Sequence, residues 1–415
     1  MRVADLVVLS LRQLAKNKLR SGLTVLGVVI GIAAVTVMVS IGQGGQALIQ
    51  NEFRNLGSNV LIVFPRWKEA AGGVREGRVQ TLTAEDAKAI AEECPAVRAA
   101  SPMVGAGGHQ MVGGNINWRP EQMQGVGPDF LIIRNFRMAA GEFFTDRDVQ
   151  GATKVCVLGW TLAQRLFPGQ EAVGQPVRIK NIPFTVIGIM EPKGADLGGR
   201  DQDDIVLMPY TTARKRLQGS PFANVDVVLV SARSEGESAQ AEREVTALLA
   251  ERHKIPPGGR NDFEINNTVE IGRVFNLITA SMTAMLSAIA AISLVVGGVG
   301  IMNIMLVSVT ERTREIGIRM ALGARPRDIL RQFLIEAVVL SGIGGLIGIG
   351  LGVAGSALET WVIYQVLPSK NWPLVVSLPA ALVALVFAAG VGMFFGFYPA
   401  RRASKLDPIE ALRFE

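Results

Sequence analysis

The sequence predicts an α-helical membrane protein with four transmembrane helices plus a mixed α/β extracytoplasmic domain. Three observations carry this. Four uncharged runs are each long enough to cross a bilayer, residues 52–273 between the first and second runs have ordinary soluble composition, and Lys and Arg gather at one set of span ends. With 49% hydrophobic residues and a mean hydropathy of +0.32, the 415-residue chain is too apolar for one soluble domain and too charged for membrane helices alone.

The uncharged runs are residues 21–51, 274–310, 337–358 and 371–400. A bilayer core of roughly 30 Å takes about 20 helical residues. In chain order this gives a basic amphipathic helix over 1–20, a first span with a stalk over 21–51, and the large domain over 52–273. A stalk with the second span follows over 274–310, then a charged segment over 311–332, the third span over 333–358, a short outer loop over 359–377, the fourth span over 378–400 and a tail over 401–415. The first run is too long for the apolar core of a cleaved signal peptide and reads as an uncleaved anchor.

Orientation follows from the basic residues, which resist translocation. Residues 1–20 carry 5 Lys+Arg, residues 311–336 carry 6 and the tail after Ala400 carries 4. Those three segments and both termini are therefore expected in the cytoplasm. Residues 52–273 hold 26 basic against 27 acidic residues, so the net charge of +6 reflects topology and not nucleic-acid binding.

The large domain reads as two β-α-β units around an insertion. "NVLIVF" is strand-like, "LTAEDAKAIAEEC" is a helix with Thr83 as N-cap, and "AVRAASPMV" is extended again. "NVDVVLV", a helix from Ser234 to about His253 and "DFEINNTVEI" form the second unit. Short apolar runs punctuated by Gly and Pro suggest an inserted β-rich subdomain over residues 136–220. Cys94 and Cys156 both lie in this domain, either as a disulfide or as two buried thiols.

The first two runs, 31 and 37 residues long, exceed what a bilayer needs. Their surplus, "GQGGQALIQN" and "NLITASMTAM", is either a helical stalk or a tilted helix followed by an uncharged loop. Small residues recur every four positions: Gly27 and Gly31; Gly344, Gly348, Gly352 and Ser356; Gly392, Gly396 and Ala400. Such stripes let helices approach closely. No ionisable residue lies well inside a run, which disfavours an ion-coupled transporter.

The charged segment reads as a helix over 310–322 with Glu311, Glu315 and Arg319 at i, i+4 spacing, and with the apolar pairs Ile316/Met320 and Ile318/Leu322. Gly323 suits the C′ position and Pro326, followed by Asp328, the first turn of the next helix. A solvated positive loop is one reading. A docking helix with its isoleucines in a partner's groove is the other.

"TERTREIGIRMALGARPRDILRQFLIEAVVLS" closely resembles the signature of the FtsX-like permease domain of MacB-type ABC transporters. "LRSGLTVLGVVIGIAAVTVMVSIGQG", "NLGSNVLIV" and "YPARRASKLDPIEALR" resemble that family's first span, the start of its outer domain and its tail. The resemblance implies a homodimeric permease in a bacterial inner membrane, in which the long helices carry ATP-driven motion to the outer domain. It implies an ATPase-contacting segment over 311–324, with Glu311, Arg312, Glu315, Ile316, Gly317, Ile318, Arg319, Ala321, Gly323 and Ala324. No G-x-x-x-x-G-K-[ST] phosphate loop is present, so ATP and magnesium are expected on a separate cytoplasmic ATPase subunit, with no cofactor and no catalytic residue on this chain. An adaptor protein and an outer-membrane channel are further partners the family implies for export of a drug, peptide or lipid-like molecule. An FtsX-like regulator of an envelope enzyme and a permease resembling LolC and LolE are the alternatives. His109 and His253 lack metal-ligand spacing, and "DQDD" (Asp201 to Asp204) reads as a solvated acidic turn.

Overall fold

The computed structural model describes residues 18–57, 59–69, 75–78, 81–196, 200–219, 224–366 and 378–413. The expected basic helix, through residue 17, and residues 367–377 of the expected outer loop lie outside them. The chain divides into a helical unit (Met1–Ala47, Leu277–Val366 and Asn371–Glu415) and a sheet unit (Leu48–Asn276 with Leu367–Lys370).

Four helices, Lys18–Leu56, Thr268–Glu311, Pro326–Val366 and Leu378–Ser404, each contain a stretch long and apolar enough to cross a membrane. The first two are unbroken over 39 and 44 residues, so the surplus in each run is helix and not loop. At 1.5 Å per residue they reach roughly 58 and 66 Å, about twice the hydrocarbon core.

The glycine stripes lie at contacts between these helices. A Cβ added at Gly27 would stand 3.0 Å from the Gly297 Cα in the second helix, and one at Gly31 2.7 Å from Leu294 Cδ1. Along the third helix, Gly344 lies 3.1 Å from Val28 Cβ by the same measure, Gly348 2.9 Å from Ile32 Cβ and Gly352 2.5 Å from Thr36 Cβ. Gly392 and Gly396 of the fourth helix receive Ser341 and Ala337 of the third. Lipid tails are as apolar as leucine, so burial alone does not hold membrane helices together, and close backbone approach supplies the van der Waals contact that does.

The sheet unit has strands β1 Val60–Pro65, β2 Trp67–Glu69, β3 Arg75–Arg78, β4 Val97–Gly105, β5 Met111–Gly113, β6 Ile116–Trp118 and β7 Gln122–Val126. They are followed by β8 Met138–Gly141, β9 Val155–Leu158, β10 Pro176–Ile179, β11 Ile182–Met190, β12 Ile205–Pro209, β13 Val227–Ala232 and β14 Phe263–Asn267. Among the described residues, twelve join one sheet in the order β14-β1-β13-β4-β7-β12-β9-β11-β10-β5-β6, with β8 on β11, while β2 and β3 pair separately.

The two expected β-α-β units interlock. β1, helix Ala84–Glu93 and β4 form the first, and β13, helix Ser238–Arg252 and β14 the second. β1 lies between β13 and β14, antiparallel to both, while β13 lies between β1 and β4. This is the split βαβ arrangement of ferredoxin-like folds. The run "VLIVF" does not alternate with polar residues because both faces are covered: Leu61 and Val63 enter the core under the two helices, Val60 the core on the opposite face.

The insertion begins earlier than residue 136. β5 pairs with β10, placing Met111 opposite Ile179, and Ala106 and Met111 share a core with Leu158, Ile179 and Phe184. β7 then pairs with β4 on one side and, in parallel, with β12 on the other, which merges insertion and host into one sheet.

Candidate functional site

The second helix ends at Glu311, and Arg312 interrupts the helical path at φ −107°, ψ 11°. The short helix is Thr313–Ala321, so residues 310 and 311, expected within it, belong to the preceding helix. The Thr313 hydroxyl donates back to the Val309 carbonyl at 3.0 Å, tying the short helix to the end of the long one. At the other end the Gly323 amide bonds to the Met320 carbonyl and the Ala324 amide to the Arg319 carbonyl, both at 3.0 Å. This is a Schellman cap, and Gly323 supplies the φ of +95° that it requires. Asp328 accepts from the Arg325 amide at 3.2 Å as the third helix begins at Pro326.

The charges are anchored. Glu315 pairs with Arg319 at 2.5 Å, and Arg319 also donates to Gln332 at 2.8 Å. Arg312 pairs at 3.4 Å with Glu336, whose side chain is only 5% exposed. Sequence reasoning missed Gln332 and Glu336, because Glu336 sits one residue before the third uncharged run and its partner lies 24 positions away. The third helix starts well ahead of that run, so Glu336 is a buried carboxylate within the helix.

The two isoleucines part company. Ile316 is 1% exposed and packs with Met305, Val309, Ile329 and Phe333 of its own chain. Gly317 lies against Ala411, where an added Cβ would stand 2.8 Å from the Ala411 Cβ. Exposed instead are Glu311, Arg314, Glu315, Ala321, Gly323, Ile318 at 45% and Leu322 at 83%, with Arg312, Arg319 and Ala324 half-buried. The expected outward pair of isoleucines is therefore corrected: Ile316 is turned into its own bundle, and the apolar residues facing outward are Ile318 and Leu322. One face of the segment is fastened to its own bundle, and the other offers an apolar pair rimmed by charge.

In the sheet unit, Asp86 closes a capping box with Thr83, accepting from its amide at 2.9 Å, and takes bonds from Arg252 at 2.7 Å and His253 at 3.3 Å. His253 presents its other nitrogen to Asp262 at 2.9 Å. Burial works against the Asp86 carboxylate, but the bonds from His253, Arg252 and Thr83 hold it well below the usual carboxylate range. The bond to Asp86, against desolvation and with help from Asp262, raises His253 above its ordinary value. Asp203 and Asp204 are 4% and 1% exposed, so the acidic turn is not solvated. Asp203 accepts from the Lys193 and Gly194 amides at 2.8 Å each, and Asp204 from the Trp118 indole at 3.0 Å. Burial pushes Asp203 up against those bonds. Cys94 and Cys156 are both free and buried, and burial pushes the Cys94 thiol up to about 11.

Among the described residues, four membrane-length helices, a large ferredoxin-like domain between the first two and a capped charged helix between the second and third define a membrane protein with one large domain between its spans. The profile of the MacB-like periplasmic core domain matches residues 21–248, and that of the FtsX-like permease C-terminal region matches residues 287–408. The chain belongs to this MacB-like family of ABC transporter permeases. Over 98% of its length it is 43% identical to the macrolide export ATP-binding/permease protein MacB of Syntrophobacter fumaroxidans. It is 41% identical over 97% to the protein of that name from Bdellovibrio bacteriovorus. It spans 63% and 60% of the lengths of those two relatives. The crystal structure of the periplasmic region of MacB from Actinobacillus actinomycetemcomitans is similar at 23% identity and a TM-score of 0.44, covering 55% of this chain and 97% of that one.

Proposed function

We propose that this chain is the permease of a MacB-like exporter that receives ATP-driven motion at the segment 311–324 and passes it along the first two helices to the periplasmic domain. ATP and magnesium are bound by a separate cytoplasmic ABC ATPase, two copies of the permease form the working unit, and a drug, peptide or lipid-like molecule is expelled with the help of a periplasmic adaptor and an outer-membrane channel. The protein sits in the bacterial inner membrane with both termini in the cytoplasm, as the basic residues beside the spans favour. One observation carries the reading: an unbroken 44-residue helix meets, across the single residue Arg312, a short helix fastened to its own bundle on one face and exposing Ile318 and Leu322 on the other. A push on that face has a stiff path outward.

The test is the double substitution Ile318→Asp and Leu322→Asp in the full chain co-expressed with its ABC ATPase. Membrane insertion is expected to persist while ATPase co-purification and permease-stimulated ATP hydrolysis are lost. Unchanged co-purification and stimulation overturn the docking claim. Membrane-impermeant thiol reagents are expected to label Glu235→Cys from outside the cell and to miss Arg401→Cys, both exposed positions. The reverse pattern overturns the orientation.

A further inference from the structure

The tail helix Pro408–Arg413 follows the fourth membrane helix, and Asp407 caps it, its carbonyl and carboxylate accepting from the Ala411 and Ile409 amides at 2.9 Å each. Ala411 is 1% exposed although it lies in a helix of only six residues, and Gly317 of the short helix lies against it. The contact is backbone-close. A Cβ at Gly317 would reach 2.8 Å from the Ala411 Cβ, nearer than side-chain carbons approach without displacement, and would lie in ordinary contact with the Pro408 carbonyl oxygen at 3.5 Å. The link between the two helices is continued inward by Ala400, Ala403 and Leu406, which pack in the same core as Ile316 and Phe333.

We infer that the tail helix is a brace for the short helix: Ala411 seated on Gly317 sets the angle at which Ile318 and Leu322 face the ATPase, making Gly317 and Ala411 positioning residues for coupling. Glycine at 317 is then required because a methyl group already occupies the space from the other side. This rests on the docking role proposed for residues 311–324. The short helix has nine residues, too few to be stable in isolation, so its orientation is set by what it packs on. Fastened by Thr313 and Ile316 toward the membrane helices and by Gly317 toward the tail, it is held on two sides.

The experiment exchanges the two methyl groups in the full chain reconstituted with its ABC ATPase. Gly317→Ala is expected to lower permease-stimulated ATP hydrolysis at least about tenfold and to speed amide exchange over residues 313–321, as overpacking displaces the tail. Combining it with Ala411→Gly is expected to return both to within about twofold of the parent, because the clash needs both methyls. A double variant as impaired as Gly317→Ala, or a Gly317→Ala variant that couples normally, overturns the brace. Ile318→Asp is run beside them: it is expected to lose coupling with amide exchange unchanged. If Ile318→Asp couples normally the docking reading itself fails, whereas loss there with normal coupling in Gly317→Ala removes the brace alone.

Discussion

In the helical unit glycines let one long helix lie against the next, with Gly27 on Gly297 and Gly348 under Ile32; the cores of the sheet unit are built instead from large side chains such as Phe184, Leu158 and Ile179, all buried. The solvent on the outside explains the difference. Around the sheet unit, water rewards every apolar atom removed from it, so large side chains gather inside. Around membrane helices that reward is absent, and Phe394 can stand 75% exposed while neighbouring helices settle closely onto glycines. Truncating large residues should therefore injure the sheet unit, and enlarging small ones should injure the helical unit.

The largest expected effect is Phe184→Ala, at about 3–5 kcal/mol from lost burial plus the cavity left behind, read as faster amide exchange across β10 and β11 in the intact protein. Phe394→Ala, the matching truncation on the membrane side, should leave detergent-solubilised thermal stability nearly unchanged; equal losses would break the comparison. Gly348→Leu comes next, at about 1–3 kcal/mol of overpacking against Ile32 and the Val29 carbonyl, read as a lowered melting temperature. Thr83→Ala should cost about 1 kcal/mol by removing a helix cap, read by denaturant titration of the sheet unit's fluorescence in the intact protein. The smallest effect is at Gly350, where an added Cβ meets nothing within 4 Å: Gly350→Ala should be neutral or stabilise slightly, by less than about 1 kcal/mol.

The pH response sharpens the same contrast. His253 is raised above its ordinary value by two carboxylates, so its contribution to stability is complete below 6.5 and is lost as pH rises through the folded value. Asp86 is held low, so its contribution is present above the ordinary carboxylate value of 3.8 and is lost as pH falls below it. Denaturation of the sheet unit followed from pH 6 to 9 should show stability falling with pH, and His253→Gln should flatten that slope.

Periodicity made the membrane unit legible. Glycines four apart in an uncharged run point in one direction, and Gly344, Gly348 and Gly352 do meet one neighbouring helix. The Schellman cap at Gly323 was legible for a similar reason, since few residues adopt a positive φ. What sequence could not separate were Ile316 and Ile318, alike in chemistry and distinguished only by which side the rest of the chain covers. β5 and β6, three residues each, are too short to show a period, so the start of the insertion was misplaced. Glu336 and Ala411 act through partners distant in sequence, and local patterns say nothing of them.

The place of β1 has a consequence for biosynthesis. This strand is made early, yet both its neighbours, β13 and β14, come after residue 226. A growing chain must carry the exposed hydrophobic ribbon "VLIVF" unpaired through the synthesis of the whole insertion, and the sheet closes only when residue 267 emerges, one position before the second membrane helix begins. Completion of the sheet and arrival of that helix at the membrane are thus adjacent events on the ribosome. A stalled or truncated chain ending before β14 would present a sticky edge to whatever chaperone or protease attends it.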